Sequence, residues 1–299
     1  MYERISASVL DEAILDAALT SLGGVPGVGE VDVVVAGDLE ASIRQRLSED
    51  AAAGFAVERV TGSVGAKTIH RDDGSSIVID GRLLIQGAAR AADIDVSRLL
   101  AHEGWHVSLR NRGEDFNTAA ERHDVSGAWG HFLGQALIVI EEFRVERALC
   151  EQGLPLHRTY EQTTSLVLEE LRAALVEAVT LRAQGGDICR TYDSAVRAFN
   201  ALTIHFAYLA ADYVASGGSR SIGSVRDSIA WTRYVNSNWA ELVRRLEPIP
   251  AASDETGAAT IDIAAGELAE VLQGWMKDVG FDLYDVPGGL YFDVLSNDF

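Results

Sequence analysis

From Asp93 almost to the end of the chain, apolar residues recur at the 3.6-residue spacing of helices and hardly leave it. Ahead of that point the pattern is mixed. Residues 1 to 22 read as an amphipathic helix through Ile5, Val9, Ile14, Ala18 and Leu22, stopped by Gly23 and Gly24. Val31 to Ala36 is a β-branched run ended by Gly37, and Asp38 then caps a helix through Asp50 or beyond. Between 57 and 85, AVERVTGSV and SSIVIDGRLLI read as antiparallel strands, with Asp73-Gly74 and Asp80-Gly81 as turns. The change of period predicts an α+β fold: a mixed α/β lobe over 1–92 and a helical lobe over 93–299.

Within the helical part, Asp95 caps a helix from Val96 to Arg112 that Gly113 ends. Ser126 caps a second one, reaching about Cys150, with Gly153 and Pro155 as its stop. Helical patterns follow at 160–184, 191–215, 224–246 and 262–278. Gly217-Gly218-Ser219 and Pro248 to Gly257 read as flexible breaks, and FDLYDVPGGLYFDVL as a hairpin across Pro287 to Gly289 or an extended tail. Gly23 to Gly29 lacks the strand-before, helix-after context of a dinucleotide loop.

Composition narrows the partners. With 45 acidic residues against 25 basic ones the formal charge is −20, which repels a phosphate backbone or an anionic bilayer, so neither nucleic acid nor membrane is expected. Apolar stretches such as Ala136 to Ile140 fall far short of the ~20 residues of a membrane span. Charged residues from Glu3 to Asp16 leave no signal-peptide stretch, and the expectation is a cytoplasmic protein. Cys150 and Cys189 are too isolated for a disulfide framework or a Cys-based zinc site, and both are expected to be reduced and partly buried.

The chemistry concentrates in LLAHEGWHVSL, where His102-Glu103-Gly104-Trp105-His106 forms an H-E-x-x-H pattern inside a segment that reads independently as helix. Histidines four residues apart stand one above the other on one helix face, so their ring nitrogens can converge on one tetrahedral ion. Glu103 points to a neighbouring flank, from which its carboxylate reaches a metal-bound water as general base. Catalytic zinc takes three protein ligands and keeps a fourth position open. In IVIEEFRVERAL, Glu141 and Glu142 interrupt an apolar helix face, where a carboxylate is costly unless a cation or metal pairs with it. Glu142 is the chosen third ligand, because Glu146 lies one turn on and can accept the free N–H of a ligating histidine. Glu141 stays open as the alternative, and so does a helix salt-bridged through Arg144 or Arg147.

An H-E-x-x-H helix followed by a glutamate on a later helix resembles the gluzincin branch of the zincin metallopeptidases. The resemblance covers residues 102 to 106 and 142 to 146, and Glu142-Phe143-Arg144-Val145-Glu146 matches its third-ligand pattern in part. SSIVIDGRLLI resembles the zincin edge strand that lines the substrate cleft. No third histidine follows His106 in the metzincin pattern. The resemblance implies a zincin-like fold, a zinc cofactor, a peptide or protein substrate, and proton transfer from water to the leaving amine by Glu103. It also implies a donor to the oxyanion, for which His157, Tyr160, His205 and His131 are unranked candidates.

Two other functions stay open: a metal-binding regulatory or interaction protein without turnover, and a zinc hydrolase of non-peptide amides. His205 and His131 read equally as core histidines, His70 and His123 as surface residues, and Trp231, Tyr234 and Trp239 as packing.

Overall fold

The computed structural model of the chain describes residues 1–3, 5, 10–55, 58–59, 62–71, 74–85, 94–156, 160–219 and 223–295. They fall into two compact units, Met1–Asp115 and Phe116–Phe299. The first is mixed, and the second is helical apart from one hairpin, so the α+β class holds as a small mixed sheet with a mostly helical remainder. The H-E-x-x-H helix, expected to open the helical lobe, belongs to the first unit.

That unit is built on a four-stranded sheet of order β1-β2-β6-β5, from β1 (Tyr2–Glu3), β2 (Asp32–Ala36), β5 (Ala66–Arg71) and β6 (Gly74–Asp80). The short pair β3 (Glu58–Arg59) and β4 (Gly62–Ser63) stands apart from it. β1, β2 and β6 run parallel, and β5 closes the edge antiparallel to β6 with Thr68 opposite Ile77. The expected helix over 1–22 begins only at Glu12, as α1 (Glu12–Gly23), because Asp11 caps it by accepting from the amides of Ala13 and Ile14. Before it, Tyr2 and Glu3 pair with Val35 and Ala36, and the Glu3 carboxylate is tied to Arg46. The helix after β2 is likewise two, α2 (Leu39–Arg44) and α3 (Glu49–Gly54), because Ser48 caps a new start.

β6, not expected as an inner strand, has both edges paired and buries Ile77, Val78 and Ile79 in an unbroken run, the mark of a strand covered on both faces. SSIVIDGRLLI, expected to resemble an edge strand, is therefore an inner strand, and β5 is the edge beside it. Asp80 does not form a turn but caps a 3-10 helix, Gly81–Leu84, through the Arg82 amide. Asp73 lies outside the described residues.

α4 (Val96–Asn111) starts at Asp95, whose carboxylate accepts from the Arg98 amide, and ends at Gly113 with φ +69°. It is held to the sheet unit along its whole length. Gly104 lies so close to α1 that a Cβ there would stand 2.6 Å from Leu22 Cδ1. One turn on, Ser108 donates to Pro26 O at 2.7 Å, and two turns on Asn111 donates to Gly27 O at 3.0 Å, clasping the 26–28 turn. These contacts set the boundary of the unit after α4.

The second unit contains α5 (Phe116–Ala120), α6 (Gly127–Glu151), α7 (Tyr160–Ala183), α8 (Ile188–Ala215), α9 (Ile229–Tyr234), α10 (Asn236–Leu246) and α11 (Ala258–Asp278). Its core gathers Phe143, Phe199, Phe206, Trp231 and Trp275, with Trp239 and Tyr234 packed in as expected. Each such side chain contributes roughly 1.5–3 kcal/mol by leaving water. The terminal segment forms the hairpin, β7 (Phe281–Val286) against β8 (Gly289–Val294). Ser126 sits at the start of α6 but makes no side-chain cap; Asp285 of β7 accepts from the Ala128 amide instead, at 3.0 Å. The segment from Pro248 to Gly257, expected to be flexible, is pinned. Buried Arg144 donates to Pro250 O, Asp254 O and Thr256 Oγ1, and Arg147 to Glu247 O and Ile249 O. No helix among the described residues is long and apolar enough to cross a membrane.

Candidate metal centre

His102 and His106 project from one face of α4, both half-buried, with ring centroids 4.9 Å apart and planes inclined by 66°. Their Nε2 atoms are 3.1 Å apart. A tetrahedral ion with metal–nitrogen bonds of ~2.0–2.1 Å holds its ligand atoms ~3.3 Å from each other, so this separation fits two ligands of one ion. It also fits one shared N–H, which is the form the pair takes without a cation.

The face is fixed by what lies behind it. Trp105 is fully buried and packs into the unit, which removes it from the metal side. Glu103, on the flank facing the sheet, is buried too. Its Oε2 accepts from the Thr68 amide at 2.6 Å, and the Thr68 hydroxyl donates to the Glu103 carbonyl at 3.0 Å. Thr68 can do this because β5 is an edge. Asp80 N–H bonds to Gly65 O, so residues 65, 67 and 69 turn their polar groups to β6, while 66, 68 and 70 turn theirs outward. Burial pushes the Glu103 carboxyl up, but His102, His106, Lys67 and the Thr68 bond together outweigh it and hold the group below its usual range. The dominant lowering influence is positive charge at the two imidazoles, which a bound dication would supply in their place.

In the second unit Glu142 occupies a half-buried position on α6, and Tyr208 of α8 donates its phenol to Glu142 Oε2 at 2.9 Å. Burial first, then the Glu142 and Glu146 carboxylates and Tyr160, push the Tyr208 phenol well above its ordinary range, so it remains a donor. Glu141 is directed elsewhere: its carboxylate accepts from the Phe116 amide at the start of α5. Glu146 is fully buried one turn beyond Glu142. His102, His106 and Glu142 each offer one ligand atom, and these atoms all lie within 4.8 Å of one another, a group that can hold a metal ion.

The remaining histidines divide as follows. His205 is a core residue: burial lowers its pKa to about 3, Thr164 and its Nε2 are 2.7 Å apart, and its ring stacks on Tyr160 at 5.1 Å. Since the Thr164 hydroxyl donates to Tyr160 O, the ring N–H donates to Thr164, and His205 has no proton to gain or lose near neutral pH. His131 is half-buried with its ring edge-to-face on Phe132, and burial lowers its pKa. His123 faces Asp262 at 3.1 Å, and His70 Nδ1 meets Ser75 Oγ at 2.8 Å. His157 lies outside the described residues. Neither cysteine is in a disulfide; Cys150 is half-buried, and Cys189 is exposed where a partly buried position was expected.

Sequence reasoning passed over Thr68, Lys67 and Tyr208. Tyr208 had one signal: a tyrosine on the buried face of a helix needs an acceptor for its hydroxyl, and the glutamates of α6 needed donors. Comparison with family models, curated proteins and solved structures returns no match.

Proposed function

We propose that the chain is a zinc-dependent peptidase of the zincin type, with His102, His106 and Glu142 as ligands and Glu103 as general base. The observation that supports the reading is the grouping of those three ligand atoms within 4.8 Å, two of them imidazole nitrogens one helical turn apart. Two nitrogens and one carboxylate oxygen suit zinc, and three protein ligands leave a position for water or substrate. Zinc supplies a Lewis acid that makes water a nucleophile near neutral pH and polarises the scissile carbonyl. Glu103 accepts the proton of the attacking water and delivers it to the amine as the carbon–nitrogen bond breaks. The Thr68 amide fixes one oxygen of that carboxylate and thereby its orientation. The substrate is a peptide or protein, and the zincin edge strand corresponds to β5.

A second reading, a metal-binding protein without turnover, draws on the same Thr68–Glu103 bond, which would then serve only to brace α4 against β5. The variant Glu103→Gln separates the two when zinc content and peptide cleavage are measured together. The peptidase retains one zinc and loses about 10²-fold or more in kcat. If the wild-type chain carries zinc and cleaves no member of a diverse peptide library, the second reading replaces the first.

A further inference from the structure

A glutamate ligand ends a side chain with three rotatable bonds, so its affinity for a metal depends on what holds the carboxylate in place before the ion arrives. Within the second unit a residue on a different helix, Tyr208, is placed for that role. Tyr208 of α8 is half-buried, and its phenol reaches Glu142 Oε2 on α6 at 2.9 Å. We infer that Tyr208 is a positioning residue for the metal site, fixing the rotation of the Glu142 carboxylate so that it binds the ion in a single orientation. The inference rests on the reading of Glu142 as a zinc ligand and adds to it how the ligand is held.

The surroundings support this assignment. Carboxylate ligands are oriented by hydrogen bonds from beyond the metal, and such partners typically contribute 10–100-fold in metal affinity. The helix bearing Tyr208 is itself held in register. Gln135 of α6 donates to Thr203 of α8 at 2.7 Å, and Cys150 contacts Asp212 at 3.4 Å, above and below the Tyr208–Glu142 bond. Tyr208 therefore meets Glu142 on a rigid pair of helices rather than on a mobile loop. His205, one turn earlier, packs against Tyr160 and Thr164, while the Tyr208 phenol is directed at Glu142.

The test is Tyr208→Phe, which removes one oxygen and keeps the ring. Zinc affinity is measured by chelator competition on the full chain, alone and combined with Glu142→Gln, and the apo protein is followed by circular dichroism. Zinc binding is expected to weaken 10–100-fold in Tyr208→Phe, and Tyr208→Phe is expected to cause no further loss once Glu142→Gln is present. With cobalt(II) in place of zinc, the visible absorption bands should shift, because an unrestrained carboxylate changes how it ligates. An affinity within twofold of wild type, or an equal loss in both backgrounds, overturns the inference. If the variant is too unstable to purify, the same titrations are done in sucrose, which favours the folded chain. A wild-type chain that binds no zinc would overturn the reading of the site instead, which keeps the two failures distinct.

Discussion

Thr68 shows how much of the site rests on single atoms. Its amide is bonded to the Glu103 carboxylate and its hydroxyl to the Glu103 carbonyl, so one residue fixes both ends of the same glutamate. Thr68→Val removes only the hydroxyl. Chemical denaturation should show a loss of about 1 kcal/mol, the net value of one buried hydrogen bond, with zinc affinity unchanged. A drop in zinc affinity would mean that Thr68 acts on His102 and His106 as well. The sequence made His102, Glu103 and His106 legible because their spacing along one helix is itself the geometry. It offered Glu142 because a carboxylate on an apolar face calls for a partner, and it preferred Glu142 for the carboxylate of Glu146 one turn on, with Glu141 left open since both interrupt that face. Only the fold shows that Glu141 is directed to the Phe116 amide and Glu142 to Tyr208. Thr68 was illegible, and the partner of Tyr208 was too, because strand order and helix pairing decide them, which local periodicity does not encode.

At the level of elements, the helix boundaries that capping chemistry determines were readable, as at Asp95 and Gly113 around α4. Those set by distant contacts were not. The segment at the start of the chain pairs as a strand because β2 offers a parallel edge, and β6 is inner because β5 folds back on it. Two glycines of α6 separate packing from propensity. A Cβ at Gly130 would stand 2.1 Å from the Val125 carbonyl carbon, whereas nothing lies within 4 Å of one at Gly134. Helix propensity favours alanine by ~1 kcal/mol at either position. At Gly134 that gain should appear in full, raising the urea midpoint. Gly130→Ala must move backbone, a cost of ~1–3 kcal/mol or more that cancels the gain, so the midpoint should fall. Equal effects at the two positions would contradict the close approach of the Val125 backbone to Gly130.

For the molecule as a whole, stability is tied to pH through His205. Its folded pKa, about 3, lies below the ordinary value of 6.5, because burial disfavours the charged ring. Above pH 6.5 the group is neutral folded or unfolded and contributes nothing. As pH falls from 6.5 towards 3, only the unfolded chain takes the proton, and stability drops by about 1.4 kcal/mol per unit. His205→Phe keeps the stack on Tyr160 and should flatten that slope between pH 6.5 and 4, as read from denaturation curves across the range. An unchanged slope would place the acid sensitivity in other groups. The cap on α6 has a different consequence. The helix that presents Glu142 receives its first-turn acceptor from Asp285, more than 150 residues later in the chain. On the ribosome, therefore, the amino end of that helix stays open until residue 285 has been translated. A nascent chain stopped before the β7–β8 hairpin would lack this acceptor, and the first turn of that helix would fray.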